Sequence, residues 1–188
     1  MSLVISGVAQ AGVDDIEITP YPFRTMSMKS CRRSISAVDS WAVDPWPAAT
    51  GIAFLTVTSE RYPEIWAATL NGPRLRASQF GSTVHNSGSG AVAIALGLRG
   101  PQVTLVAGDI LQAAKLQILA GRTRMMVVCA CELMGPAISM VLHSTDDPGI
   151  PFETIEAVGR DEPSTAYGLS TFRRQWQVAA NAFAGGIW

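Results

Sequence analysis

The amino-acid sequence predicts an α/β fold, and three observations lead there. Apolar runs of strand length recur along the chain, helical stretches rich in alanine and other small residues lie between them, and glycine, proline and aspartate clusters mark the junctions. Runs that are apolar throughout, without polar alternation, belong to strands covered on both faces. A chain of 188 residues encloses one substantial core, so a single main domain is expected.

The elements follow in order. Leu3 to Ala9 reads as a short buried strand. Gly12 to Ala49 carries Pro20, Pro22, Pro45 and Pro47 with little clean periodicity, so loops with at most one short helix are expected. Gly51 to Thr58 is an apolar, partly β-branched strand. Pro63 stands near a helix start, with Ile65, Trp66, Thr69 and Leu70 on one face and a stop at Asn71-Gly72-Pro73. Arg74 to Phe80 is a linker. Ser87 to Leu98 reads as a closely packed helix broken by Gly100-Pro101, and Val103 to Ala107 as a strand. Asp109 suits the N-cap of a helix from Ile110 to Ala120 that Gly121 closes. Met125 to Ala130 and Ala137 to His143 are two further strands, and Asp146 to Gly149 is a turn. Residues 1–150 form the expected domain. Residues 151–188 form a C-terminal extension whose Trp176, Phe183 and Trp188 can dock on the body or on a partner.

Composition narrows the function classes. Hydrophobic residues make up 48% and charged residues only 15%, with a mean hydropathy of +0.23. Typical domains carry about 25% charged residues, so this chain is expected to hide an apolar face against a partner. A net charge of −1 and a pI near 6.1 leave no electrostatic footprint for nucleic acid. No apolar run approaches the roughly 18 residues of a membrane span. The opening MSLVISGVAQAGVDD lacks a basic region and reaches acids early, unlike a secretory signal. Cys31, Cys129 and Cys131 are too few and odd in number for a disulfide framework. A cytoplasmic location is the expectation.

The stretch Ser78 to Glu132 resembles the ketosynthase and chain-length-factor family. It reads SQFGSTVHNSGSGAVAIALGLRGPQVTLVAG, then a helix, then GRTRMMVVCACE. Family members share a small-residue helix, a G-L-x-G-P turn, a short strand running into a nucleophile elbow, a long helix, and a strand ending near an acid. Here the turn is Gly97 to Pro101, the short strand Val103 to Ala107, and the acid Glu132. Leu3 to Gly7 and Gly51 to Thr58 match the family's first strands. Val84-His85-Asn86 is similar to the shorter, stand-alone chain-length-factor-like proteins that accompany aryl-polyene and type II polyketide synthases. The resemblance covers residues 1–145, with Phe80 to Gly108 its most specific piece. It implies half of a thiolase-like fold, a mixed sheet flanked by helices.

Two departures from the family pattern bear on chemistry. Active members place a cysteine at a helix N-terminus, where the dipole lowers the thiol pKa and backbone N–H groups form an oxyanion hole. Here Ala107, Gly108, Asp109 and Ile110 make a degenerate elbow, and no Cys, Ser or Thr lies from Gly108 to Leu119. A carboxylate there is a poor acyl acceptor and opposes a developing oxyanion. The helix is also about one turn shorter than the family's. Secondly, the family's assisting histidines belong to a second half that this chain is too short to include.

The resemblance therefore implies a non-catalytic, chain-length-factor-like subunit. It would pair with a full-length ketosynthase in polyketide, aryl-polyene or fatty acid biosynthesis and shape its acyl tunnel, with an acyl carrier protein as a further partner and no cofactor. In the family, the strand before the nucleophile pairs antiparallel with its mate across a two-fold axis. The corresponding residues Val103, Thr104, Leu105 and Val106 are expected at the interface. Thr83, Val84, His85, Asn86, Ser87, Gly88 and Leu111 are expected nearest the pocket. A homodimeric acyl-chain or carrier-protein binder is the alternative, and a small acyltransferase or hydrolase using Asp109 or His85 as base is another.

Other residues have plainer readings. Cys129 and Cys131, two apart on a strand, share a face as buried small hydrophobes instead of metal ligands. Cys31, among Lys29, Arg32 and Arg33, reads as an exposed loop thiol whose pKa the cations would lower. Those cations suit an acidic carrier protein or simply a solvated loop. His143 with Asp146 and Asp147 belongs to a sheet-end turn, and Gly88-Ser89-Gly90 reflects close helix packing. Trp41, Trp46 and Trp188 are candidate interface anchors.

Overall fold

The computed structural model of the chain describes residues 1–12, 22–36, 38, 49–56, 71, 85–131, 136–158 and 168–186. Its elements are β1 (Ser2–Ala11), α1 (Pro22–Ser36), β2 (Gly51–Thr56), α2 (Ser87–Leu96), β3 (Gln102–Leu105) and α3 (Ile110–Leu119). Then come β4 (Met125–Cys131), β5 (Ala137–Thr145), β6 (Ile150–Pro151), α4 (Phe152–Ala157) and α5 (Leu169–Ala184). The strands form one six-stranded sheet in the order β3-β2-β4-β5-β1-β6. β2 runs parallel to β3 and β4, and the pairs β4–β5, β5–β1 and β1–β6 are antiparallel. The sheet is mixed, as expected. Helices α2 and α3 lie in the long crossovers that parallel neighbours require.

The unbroken apolar run of β4 has a direct cause. All seven of its residues are buried. Met126, Val128 and Ala130 point to a core shared with α3, α4 and α5, while Met125, Val127, Cys129 and Cys131 point to one shared with α1 and α2. Both faces are thus covered, and period-two alternation carries no polarity signal.

The stretch from Gly12 to Ala49 departs from expectation, because α1 is a full 15-residue helix. Its buried stripe is Met26, Ser27, Ser30, Cys31, Ser34 and Ile35, which has helical spacing but is half serine. The serines disguised the period. Two of the hydroxyls bond within the helix, Ser30 Oγ donating to the Ser27 carbonyl (3.1 Å) and Ser34 Oγ to that of Cys31 (3.0 Å), while the Ser27 side chain meets Cys129 and Cys131 of β4. Small side chains also let α1 approach β1 closely: a Cβ added to Gly7 would run into the Ser34 carbonyl oxygen. Cys31 is accordingly fully buried in a helix, not exposed in a loop.

Other elements match their expected spans to within a few residues. The helix proposed near Ile65–Leu70, the linker Arg74–Phe80, and Trp41, Trp46 and Trp188 lie outside the described residues. After Pro151, helices α4 and α5 pack on the body. Phe152, Ile155, Phe172 and Ala179 join the core of the sheet face that carries α3. The Trp176 indole N–H is shared between the carbonyls of Ala9 and Ser139, 3.2 Å from each.

Two glycine substitutions test this packing. Gly7→Ala should destabilise the protein by about 1–3 kcal/mol through overpacking against α1. Gly90→Ala, in α2 where an added Cβ meets nothing within 4 Å, should stabilise it by about 0.5–1 kcal/mol. Urea unfolding of both variants reads the opposite signs.

Candidate functional site

The corner between β3 and α3 is built residue by residue. β3 ends at Leu105, and Val106 and Ala107 follow as exposed residues. Gly108 then turns the chain at φ = +104°, a conformation that strains any residue with a Cβ. Asp109 is extended (φ −85°, ψ 98°), and its Oδ1 accepts a 3.0 Å hydrogen bond from the Gln112 backbone N–H. This is the expected N-cap. It satisfies one orphan donor and sets a negative charge against the positive end of the helix dipole. Ile110, Leu111, Ala114 and Ile118 anchor α3 on the sheet. On its flank, Lys115 pairs with Glu156 of α4 at 2.9 Å and lies over the Phe152 ring, 4.8 Å from its centroid. Gln112 donates to the same carboxylate.

The first turn of α2 joins the corner from the side. Ser89 Oγ and Thr104 Oγ1 share a 2.8 Å hydrogen bond, tying α2 to β3. Gly88 lies under the Phe54 ring, 3.3 Å from where its Cβ would be, so close packing explains that glycine; Gly90 has open space instead. His85 and Asn86 are exposed in the preceding turn. The Asn86 side chain does not cap α2; its carbonyl does the holding, accepting from Gly90 N–H and from Ser89 Oγ, each at 2.9 Å. Thr83 and Val84 lie outside the described residues, as does the side chain of Ser87. The described expected residues therefore fall into three adjoining pieces: the turn before α2, strand β3 with Val106, and the elbow with buried Leu111.

A third partner was not anticipated. The shallow cleft at the elbow is lined by Gly108, Asp109 and Ile110 on one side and by Gly168, Thr171, Phe172 and Gln175 of the C-terminal segment on the other. Its volume is about 140 Å³, open solvent included. Asp109 is the sole ionisable group among these lining residues, and its carboxylate is committed to its own helix. The sequence did hold a signal: Phe172, Trp176, Ala179 and Phe183 recur at helical spacing.

The cysteines form a buried cluster on the opposite face of the sheet. Cys31, Cys129 and Cys131 are all free thiols, and Ser30 Oγ lies 3.7 Å from Cys129 Sγ. A hydrogen bond with Cys129, together with burial, holds the Cys31 thiol well above its usual range, not below it as the neighbouring cations suggested. Burial pushes Cys131 up to about 12. Among the described residues no group of three or more His, Cys, Asp or Glu side chains is placed to hold a metal ion. No helix among them is long and apolar enough to cross a membrane. His143 is buried on β5, and burial lowers its pKa; the adjoining turn is closed by Thr145 Oγ1 and Asp147 Oδ2 at 3.0 Å.

The family model for the β-ketoacyl synthase N-terminal domain matches residues 42–149, more than half of the chain. The chain belongs to this family. No curated protein sequence matches it. Among solved structures, it is similar to the ishigamide ketosynthase/chain length factor, at 13% identity and a TM-score of 0.60 over 80% of this chain and 64% of that one. It is also similar to a ketosynthase in complex with its chain length factor from Xenorhabdus doucetiae (13%, TM-score 0.53, 77% of this chain and 80% of that one). A third is a β-ketoacyl synthase from Burkholderia phymatum STM815 (11%, TM-score 0.58, 96% and 70%). The chain thus spans just under two thirds of the ishigamide protein's length. At these identities the likeness establishes the fold alone, that of a thiolase-like ketosynthase N-terminal half.

Two measurements check the site. Asp109→Ala should cost about 0.5–2 kcal/mol as a lost N-cap, while Asp109→Asn, which keeps an acceptor, should cost far less; denaturant titrations of both give the comparison. His143, whose pKa burial lowers, binds its proton less readily folded than unfolded. Stability should therefore be complete above the unfolded value of 6.5 and fall as pH drops below it towards the folded value. His143→Gln should flatten that slope in urea titrations between neutral and mildly acidic pH.

Proposed function

We propose that this chain is a non-catalytic, chain-length-factor-like subunit that pairs with an active ketosynthase and shapes its acyl tunnel, in polyketide, aryl-polyene or fatty acid biosynthesis. The observation that carries the reading is the β3–α3 corner, where a glycine and a capping aspartate stand in place of a thiol. A carboxylate tied to its helix neither attacks a thioester nor leaves the helix N-terminus free to stabilise an oxyanion. With no second acid or base among the described lining residues, acyl-transfer or hydrolase chemistry at this corner finds little support.

Pairing is supported by the sheet edge. β3 is an outer strand of the described sheet, with Gln102 exposed and Val103, Thr104 and Leu105 half-buried. Val106, just beyond it, is 44% exposed. Among the described residues no strand pairs with the outer edge of β3, and an open edge recruits another strand. Two similar solved structures carry a ketosynthase and chain length factor in their names, which supports a ketosynthase as the mate. An acyl carrier protein would deliver the chain to that enzyme. Such a subunit acts by filling volume, so its contribution is shape and not bond-making.

A second copy of the chain would also satisfy the β3 edge, and co-expression with a ketosynthase separates the two readings. The expected result is a one-to-one complex by mass, with no acyl group retained on this chain after incubation with a radiolabelled acyl thioester. Val106→Asp should leave the isolated chain folded but weaken the complex by at least about 2 kcal/mol, more than tenfold in Kd, by burying an unpaired charge. A stable homodimer indifferent to ketosynthase, or a labelled chain, overturns the proposal.

A further inference from the structure

We infer that the C-terminal helix α5 is a built-in plug, in which Phe172, flanked by Thr171 and Gln175, occupies the space through which an acyl thioester would have to reach the N-terminus of α3. The inference deepens the proposed function and rests on reading Gly108–Ile110 as the degenerate elbow. It adds that the corner is closed by shape as well as by chemistry, so that a thiol supplied there would still meet a filled site.

Three observations carry it. Phe172 is 1% exposed and Thr171 and Gln175 2% each, so these side chains are buried against the body although the helix that bears them lies on the surface. The same three, with Gly168, line one wall of the elbow cleft, facing Gly108, Asp109 and Ile110 across it. The space left between is about 140 Å³ even counting open solvent, against roughly 300–1,000 Å³ for pockets that bury a small ligand. An acyl chain finds no room beside Phe172.

The plug is also fixed. One turn beyond Phe172, the Trp176 indole N–H is held by the backbone of β1 and β5 at once. Ala179, a turn further, is fully buried. Packing at two points beyond the cleft resists lifting of the helix, so removing the ring is the direct way to open the corner.

The test is thiol accessibility in the full-length chain. Asp109→Cys places a thiol at the elbow, and Leu116→Cys, at a position 60% exposed on the outer face of the same helix, is the control. Each is alkylated with iodoacetamide and with its N-octyl derivative. The ratio of the two rates cancels the thiol's own reactivity and reports only room for a chain. At position 109 the octyl reagent should be disfavoured by about tenfold or more relative to the control, the discrimination that missing space for several methylenes produces. Adding Phe172→Ala should remove most of that penalty. Phe172→Leu, a gentler truncation, should remove part of it and serves if the alanine variant does not fold. Cys31, Cys129 and Cys131 report folding internally, because they label only when the chain opens. A position-109 ratio equal to the control, or one unmoved in a folded Phe172 variant, overturns the plug. Either result leaves the pairing with a ketosynthase standing, since complex formation is read separately.

Discussion

Everything in this fold leans on one strand with no outside. β4 is buried along its whole length, parallel to β2 on one side and antiparallel to β5 on the other. A strand so placed cannot tolerate a polar side chain on either face, and that requirement fixes what must cover it. α1 and α2 close one side, and α3, α4 and α5 close the other. The low charge of the chain follows from this geometry, because much of a modest sequence is spent on two interiors instead of one.

The corner at Gly108 inherits its position from the same arrangement. β3 is set beside β2 at the sheet's margin, and α3 must drop back over the face that β4 presents. The chain therefore turns sharply just past the end of β3, and glycine is the residue that permits the turn. A helix that begins in such a corner points its unpaired N–H groups at whatever lies above. In this protein that space holds a capping carboxylate and the side chains of α5, so the electrostatic focus is spent inside the molecule.

The alternation of strands and helices, the Asp109 cap and the glycine-turn positions were legible in the sequence because each rests on a local rule. α1 was not, since Ser27, Ser30 and Ser34 occupy its buried stripe and a hydropathy pattern cannot distinguish them from solvent-facing serines. The environment of Cys31 is hidden for a different reason: Arg32 and Arg33 are its exposed neighbours in sequence, while its side chain faces Cys129, distant in sequence and adjacent in space. Of the candidate site, strand β3 and the capped start of α3 were legible from strand pattern and cap chemistry. The wall supplied by Thr171, Phe172 and Gln175 was not, because nothing local announces which part of the body a downstream helix will cover.

The place of β1 has a consequence for how such a chain is made. Its two sheet neighbours, β5 and β6, are encoded well over a hundred residues later, with pairings such as Ser2 to Thr145 and Ile5 to Ile150. During synthesis β1 can therefore enter the sheet only after the residues of β5 have left the ribosome. Contacts of such long sequence separation slow folding and prolong the life of sticky intermediates. Docking of Trp176 onto Ala9 comes later still. Completion of the sheet around β1 is consequently a late step, whereas β2, β3 and β4 can pair before it.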